Sequence, residues 1–358
     1  MAQRESACVG CLLGMAVGDA MGYTVDSKSW EEICEDYGPN GLLGYDLANG
    51  AAEVSSYTQI GAYAANGLLL GITRGKTDQY ARFLQQAMKE WCRRQDLPRD
   101  PEKYSCWVSH VPALRRRHCR DSWMLDALRA KNIGTMESPI NRSANPGSML
   151  VAAVVALLSA GDRMDQTQLS RLAAAAVATT HGATEVWYSG AVLANVIAGI
   201  LAEEKRPMKE LFLHAIETVE LQFPKTEVLA AQLKKVLNAG WEEPQAVMES
   251  LRCDTAGQCL AGAMYACLVS QGDFDTAMIL AVNHSGKSAA VGAITGAIMG
   301  AYLQQEALPE FYLESLEVVD VLTELAQDLT QGTPTMGLFD DDWDQKYNQG
   351  LPVGQYNA

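Results

Sequence analysis

The chain has 358 residues, 48% of them hydrophobic, and a formal net charge of −15. This balance supports a large buried core and excludes nucleic acid as a main partner, which would need a clustered basic surface. No Ser/Gly linker, fixed-period repeat or long strand-like alternation divides the sequence, so the expectation is one all-α domain over 1–330 and an acidic tail over 331–358.

Apolar residues at three- and four-residue intervals predict helices over 5–22, 58–73, 76–94, 149–160, 167–179, 185–203, 207–222, 226–238, 244–250, 256–270, 273–282, 288–303 and 315–329. Turn signals separate them at Gly38-Pro39-Asn40-Gly41, Pro98-Arg99-Asp100-Pro101, Asn145-Pro146-Gly147 and Gly332-Thr333-Pro334. The longest apolar runs, 149–158 and 289–303, fall short of the ~20 residues that span a bilayer, so no membrane partner is expected. Nine cysteines, an odd number without framework spacing, and no basic leader with a cleavage site point to a reduced, cytoplasmic protein. Cys8 and Cys11 make a C-x-x-C pair, but no second pair or nearby His accompanies them, and buried thiols are the reading.

Glycines recur every four residues at Gly10, Gly14, Gly18 and Gly22, and again at Gly292, Gly296 and Gly300. Each costs ~1 kcal/mol against alanine in a helix interior, so the stripes imply a groove that admits another helix backbone. The first stripe contains Asp19 and leads to Asp26; a carboxylate so placed needs a partner charge or several donors, or braces a loop as a cap. Ser55-Ser56-Tyr57-Thr58-Gln59 precedes a helix as ordinary caps do. Arg115, Arg116, Arg117, His118 and Arg120 form the one dense basic run; it reads as a solvated helix face, with phosphate binding the alternative. Thr180-His181-Gly182 ends a helix, where a lone His is ordinarily structural. Ala281 through Ser288 fits a relaxed A-x-x-x-x-G-K-S phosphate loop, but neither the preceding strand nor the α/β alternation is present; Lys287 and Ser288 at a helix N-terminus remain candidates to hold an anion. The tail segment Phe339-Asp340-Asp341-Asp342-Trp343-Asp344 lacks the spaced ligands of a calcium loop and is expected to dock through Trp343 or Phe339.

Taken in order, these patches resemble the ADP-ribosylglycohydrolase family, which includes the dinitrogenase-reductase-activating glycohydrolases, from about Cys8 to Leu316. Gly14-Met15-Ala16-Val17-Gly18-Asp19-Ala20-Met21-Gly22 is similar to the family's opening G-x-A-x-G-D-A-x-G, Thr180-His181-Gly182 to its T-H-G, and Ala281-Val282-Asn283-His284 through Gly292-Ala293-Ile294-Thr295-Gly296-Ala297 to its closing motif. The stretch Gly147-Ser148-Met149 resembles a loop that lies against bound ADP-ribose in the family. The resemblance implies an all-α bundle with a central ligand cleft. Asp19, Ser55, Ser56, Tyr57, Thr58, Asn145, Gly147, Ser148, Met149, His181, Asn283, Lys287 and Ser288 are the candidate ligand-binding residues, and Asp19 and Asp26 the candidate catalytic carboxylates.

The departures carry as much information. The resemblance implies two Mg²⁺ ions held by T-D-D-T early and D-x-D followed by Ser or Thr late; here stand Ser55-Ser56-Tyr57-Thr58, and Lys287, Ala289, Ala290 and Val291. Pro146 follows Asn145 where glycine is usual, Leu150 replaces a usual arginine, and Asp26 stands where many members carry glutamate. Mg²⁺ needs hard oxygen ligands, so no metal or other cofactor is expected, and metal-assisted hydrolysis should be closed. The Lys287 ammonium is expected either to take a former metal position and pair with Asp19, or to have drifted in after catalysis was lost. Three functions follow. The first is a non-hydrolytic binder of ADP-ribose, a related nucleotide or an ADP-ribosylated protein. The second is a metal-independent glycoside hydrolase using Asp19 or Asp26, and the third a structural or interaction protein on the same fold.

Overall fold

The glycine stripes meet each other. In the computed structural model, which describes residues 2–96, 104–161, 163–202, 206–332 and 340–356, helices α1 (Ala2–Val25) and α14 (Ser288–Leu303) run antiparallel with Gly10 against Gly300, Gly14 against Gly296, Gly18 against Gly292 and Gly22 against Ser288. A Cβ placed on any of these seven glycines would fall well inside 3.0 Å of a carbonyl group on the facing helix, so the two backbones touch along the whole seam. Twelve residues at the helical rise make that seam about 18 Å long.

Between these two helices the chain forms α2 (Trp30–Tyr37), α3 (Ser56–Thr73), α4 (Tyr80–Asp96), α5 (Ser122–Arg129), α6 (Met149–Ala156), α7 (Gln166–Ala178), α8 (Thr184–Leu201), α9 (Met208–Gln222), α10 (Glu227–Val236), α11 (Pro244–Leu251), α12 (Ala256–Val269) and α13 (Phe274–Val282). After them come α15 (Glu310–Ser315), α16 (Val319–Gln331) and α17 (Asp341–Tyr347). No sheet forms among the described residues, only isolated bridges at Ala48–Ala51 and Ala52–Leu316. The all-α expectation and the predicted long helices agree with this order. Four short helices carry no long apolar period: α2, α5, α15 and α17. The first opens on a capping box, Ser29-x-x-Glu32, a sequence signal that was missed.

Buried residues of α1, α3, α6, α8, α12, α13, α14 and α16 share one hydrophobic core. Two helices not weighed as spans from the sequence, α1 and α8, at 24 and 18 residues, are long and apolar enough to cross a membrane by length and composition. Their most apolar windows are 89% and 72% buried within the fold, because both are central helices surrounded by other helices. Two further points concern the ends of elements. The turn at 98–101, residues 333–334 and Phe339 lie outside the described residues. Residues 340–356 pack on the bundle: Trp343 donates its indole N–H to Thr73 Oγ1 (3.1 Å), Tyr347 is fully buried with its hydroxyl on Asp328 (2.6 Å), and Lys346 pairs with Glu324 (2.8 Å) and Asp328 (2.5 Å).

Candidate functional site

The seam fixes what flanks it. Asp19, fully buried on α1, points at the start of α3 and accepts four hydrogen bonds, from Ser55 N (3.0 Å), Ser55 Oγ (2.5 Å), Thr58 N (3.0 Å) and Thr58 Oγ1 (2.6 Å). The first amides of a helix have no intrahelical acceptor, and a carboxylate there also meets the positive end of the helix dipole. Burial pushes the Asp19 carboxyl up to about 6, against the pull of those same four bonds. The expected Lys287–Asp19 pair does not form. Ser55 and Thr58 fill the Asp19 carboxylate, and Lys287 instead lies near Asp26.

Above Asp19 opens a small cleft of about 80 Å³ lined by Tyr23, Asp26, Ser55, Ser56, Tyr57, His118, Arg120, Asp121, Asn145, Pro146, Gly147, Lys287 and Ala289. Asp26 Oδ1 accepts the Ala289 amide at 3.2 Å. Burial raises its carboxyl above the ordinary value, while that amide and the charges of Lys287 and Arg120 lower it less. The Tyr57 phenol is pushed well up by burial and by the carboxylates of Asp26, Asp121 and Asp19, so it enters the cleft as a neutral donor. Gly147 is required where it stands, since a Cβ would come within 2.7 Å of Asp121 Oδ2 and 2.9 Å of His181 Cε1.

Asp121, His181 and Ser148 form a chain: His181 Nε2 to Asp121 Oδ2 at 2.9 Å, and His181 Nδ1 to Ser148 Oγ at 3.0 Å and Thr180 Oγ1 at 2.9 Å. Burial works to raise the Asp121 carboxyl, but His181, the Met124 amide and Asn145 outweigh it and hold it below the ordinary range. The order of residues is that of a nucleophilic triad, yet Ser148 and His181 have no exposed surface. The chain braces the 145–148 turn from behind.

The phosphate-loop reading fails on backbone geometry. The element before the loop is helix α13, and the loop amides are already used: Ser285 N on Glu249 (2.9 Å), Gly286 N on His284 Nδ1 (3.0 Å) and Lys287 N on Cys253 O (2.9 Å). His284 therefore presents its other nitrogen to Ala281 O (3.0 Å), and burial holds the ring neutral, lowered to about 4.

Of the candidate residues, Asp26, Ser55, Ser56, Tyr57, Asn145, Gly147 and Lys287 converge on the cleft. Asp19, Thr58, Ser148, Met149, His181, Asn283 and Ser288 lie outside its lining, buried. Asn283 braces Leu42, accepting its amide (2.8 Å) and donating to its carbonyl (2.9 Å), while the Ser288 carbonyl faces Gly22 in the seam. Tyr23 and Asp121 line the cleft without having been singled out; His118 and Arg120 were read within a basic run, and Pro146 and Ala289 as departures from the family pattern. The basic run is not a helix face: a 3-10 turn ends at Arg115 and residues 116–120 run irregularly back over the site. No group of three or more His, Cys, Asp or Glu side chains able to hold a metal occurs among the described residues. All nine cysteines are free thiols.

Residues 1–337 match the model of the ADP-ribosylglycohydrolase family. Nothing among curated proteins matches the chain. Among solved structures it is similar to a chain described as "ADP-ribosylglycohydrolase-related protein complex", with 23% identity, 92% of this chain and 99% of that chain covered, and a TM-score of 0.59. At that identity the likeness carries the fold.

Proposed function

The chain belongs to the ADP-ribosylglycohydrolase family, and from that premise we propose that it binds ADP-ribose, a related nucleotide or an ADP-ribosylated protein in this cleft without divalent metal. One observation supports the reading above the rest. The four positions at which the family resemblance implies metal carboxylates carry Ser56, Tyr57, Lys287 and Ala289, and all four line one cleft. A hydroxyl, a neutral phenol, an ammonium and a methyl group do not make a Mg²⁺ site: the ion needs several hard, preferably anionic oxygens, and an ammonium repels it. No catalytic step is therefore routed through a metal here. What this chain's residues offer a ligand is Asp26 and Asn145 for hydroxyls, the Tyr57 phenol as donor, and a glycine turn that a sugar can approach closely.

The test is calorimetric titration with ADP-ribose, once in Mg²⁺ and once in chelator. Equal affinity in the two buffers is the expected result. Binding that requires Mg²⁺ would overturn the metal-free site, and no binding in either buffer would overturn the ligand class. A second reading, metal-independent hydrolysis, is favoured by one feature: Asp26 is a largely buried carboxylate on the cleft wall with a raised pKa, as a general base requires. It predicts turnover of an ADP-ribosyl glycoside in chelator that Asp26→Asn abolishes.

A further inference from the structure

In a chain of net charge −15, this cleft collects a guanidinium, an ammonium and an imidazole. The basic run that crosses it is mostly engaged elsewhere. Arg116 pairs with Glu317 and Glu53, Arg117 donates to the Asp96 carbonyl (3.2 Å), and His118 donates through Nδ1 to Val54 O (2.7 Å). Arg120 is different. Its guanidinium lies over the Tyr23 ring, 5.2 Å from the centroid, and the same ring stacks on His118 at 5.2 Å, so an aromatic platform holds the arginine at the cleft. From the other end of the sequence, Lys287 is held by its backbone, N–H on Cys253 O, with its side chain half-buried on the same cleft. Among the described residues neither Arg120 nor Lys287 makes a salt bridge. Of the carboxylates facing them, Asp121 is tied to His181, and Asp26 gives one oxygen to the Ala289 amide.

Building on the reading of this cleft as an ADP-ribose-type site, we propose that Lys287 and Arg120 form a two-point clamp for a phosphate on the sugar end of the ligand, so that the site selects a phosphorylated pentose over a neutral one. The chemistry follows from the donors. A neutral sugar would strip water from two cations and return little, whereas a phosphate adds to Asp26, the one carboxylate whose charge Lys287 and Arg120 share, and accepts charge-assisted hydrogen bonds from each. The planar fork of an arginine and the point charge of a lysine suit two faces of one phosphate. Asp26 and Asn145, on the same wall, remain for the sugar hydroxyls. Positive charge thus stands where the family resemblance implies metal, fixed in the chain and serving an anion directly.

The experiment is calorimetric titration of the full chain in chelator with ribose 5-phosphate, ribose and ADP-ribose, using wild type, Lys287→Met, Arg120→Gln and Lys287→Arg. Ribose 5-phosphate should bind, and ribose about a hundredfold more weakly, as two charged contacts imply. Lys287→Met and Arg120→Gln should each weaken ribose 5-phosphate about tenfold, Lys287→Arg should restore most of the loss, and added salt should weaken wild type more than either neutral variant. Arg120→Gln alters an exposed side chain, so its result stands even if Lys287→Met folds poorly. Equal binding of ribose and ribose 5-phosphate, or unchanged affinity in both neutral variants, would overturn the clamp. ADP-ribose binding with no response to ribose 5-phosphate would overturn the clamp and leave the proposed function standing. Ribose 5-phosphate binding without ADP-ribose binding would do the reverse.

Discussion

Gly296→Ala should be among the most damaging single-methyl changes in this protein. Alanine is the better helix former by ~1 kcal/mol, so in an open helix the change would stabilise. Here the new methyl would overlap the Gly14 carbonyl group across the seam, where backbone stands and no side chain can turn aside. The two helices must part, and every backbone contact from Gly10 to Ser288 loosens with them. Overpacking of a filled interior costs about 1–3 kcal/mol, occasionally more; a seam with no soft element belongs at the top of that range, about 3 kcal/mol after the helix-propensity gain. The control is Gly199→Ala in α8, where the new methyl meets only the Leu211 side-chain tip at 3.2 Å; it should be neutral or slightly stabilising. Urea unfolding followed by circular dichroism measures both. The double variant Gly14→Ala/Gly296→Ala should cost less than the sum of its singles, because helices parted once need not part again. If Gly296→Ala unfolds at the same urea concentration as Gly199→Ala, the account of the seam is wrong.

Two further outcomes follow from buried charge. Asp19 has a carboxyl raised to about 6 in the fold against ~3.9 in an unfolded chain, so its contribution is fully present below pH 4 and is lost as pH rises through 6. Wild type should lose up to about 3 kcal/mol over that window. Asp19→Asn is less stable throughout for want of acceptors but lacks that slope; parallel stability–pH curves for the two would contradict the assignment. At the other end of the chain, Lys346→Met should leave Asp328, already raised by burial, without its nearest cation and destabilise the packing of α17 by about 3 kcal/mol or less. Faster proteolytic loss of residues 340–356 would report it, and wild-type resistance would refute it.

Long helices were legible because a helix that buries one face repeats its apolar residues at the period of the turn. The seam was legible for a different reason: seven glycines in two helices make no sense unless a backbone lies against them. The site was legible only in part. Ser56, Tyr57, Asn145, Gly147 and Lys287 were reached through resemblance, whereas Arg120 and His118 were not, because their segment carries no periodicity and its charges read as surface; Tyr23 sits on the last turn of α1, just beyond the glycine stripe. Asp121 was missed: it is the N-cap of α5, a helix too short to show a pattern. The Lys287–Asp19 pair, one of two alternatives, was inferred from opposite charge and from both residues flanking the glycine-striped helices. The four donors at the start of α3 are backbone and hydroxyl groups, and sequence does not show which way they point.

The antiparallel seam also has a kinetic side. α1 leaves the ribosome well ahead of α14, so it emerges apolar and glycine-striped with its partner still unmade. Contacts so distant in sequence are slow to close. Synthesis of the intervening residues at about 5–20 per second leaves α1 uncovered for tens of seconds. During that interval its glycine stripe and apolar faces lack the helix that covers them in the fold. In the finished molecule 89% of its most apolar window is buried, and the cover over its glycine face is complete only once Ser288–Leu303 has been made.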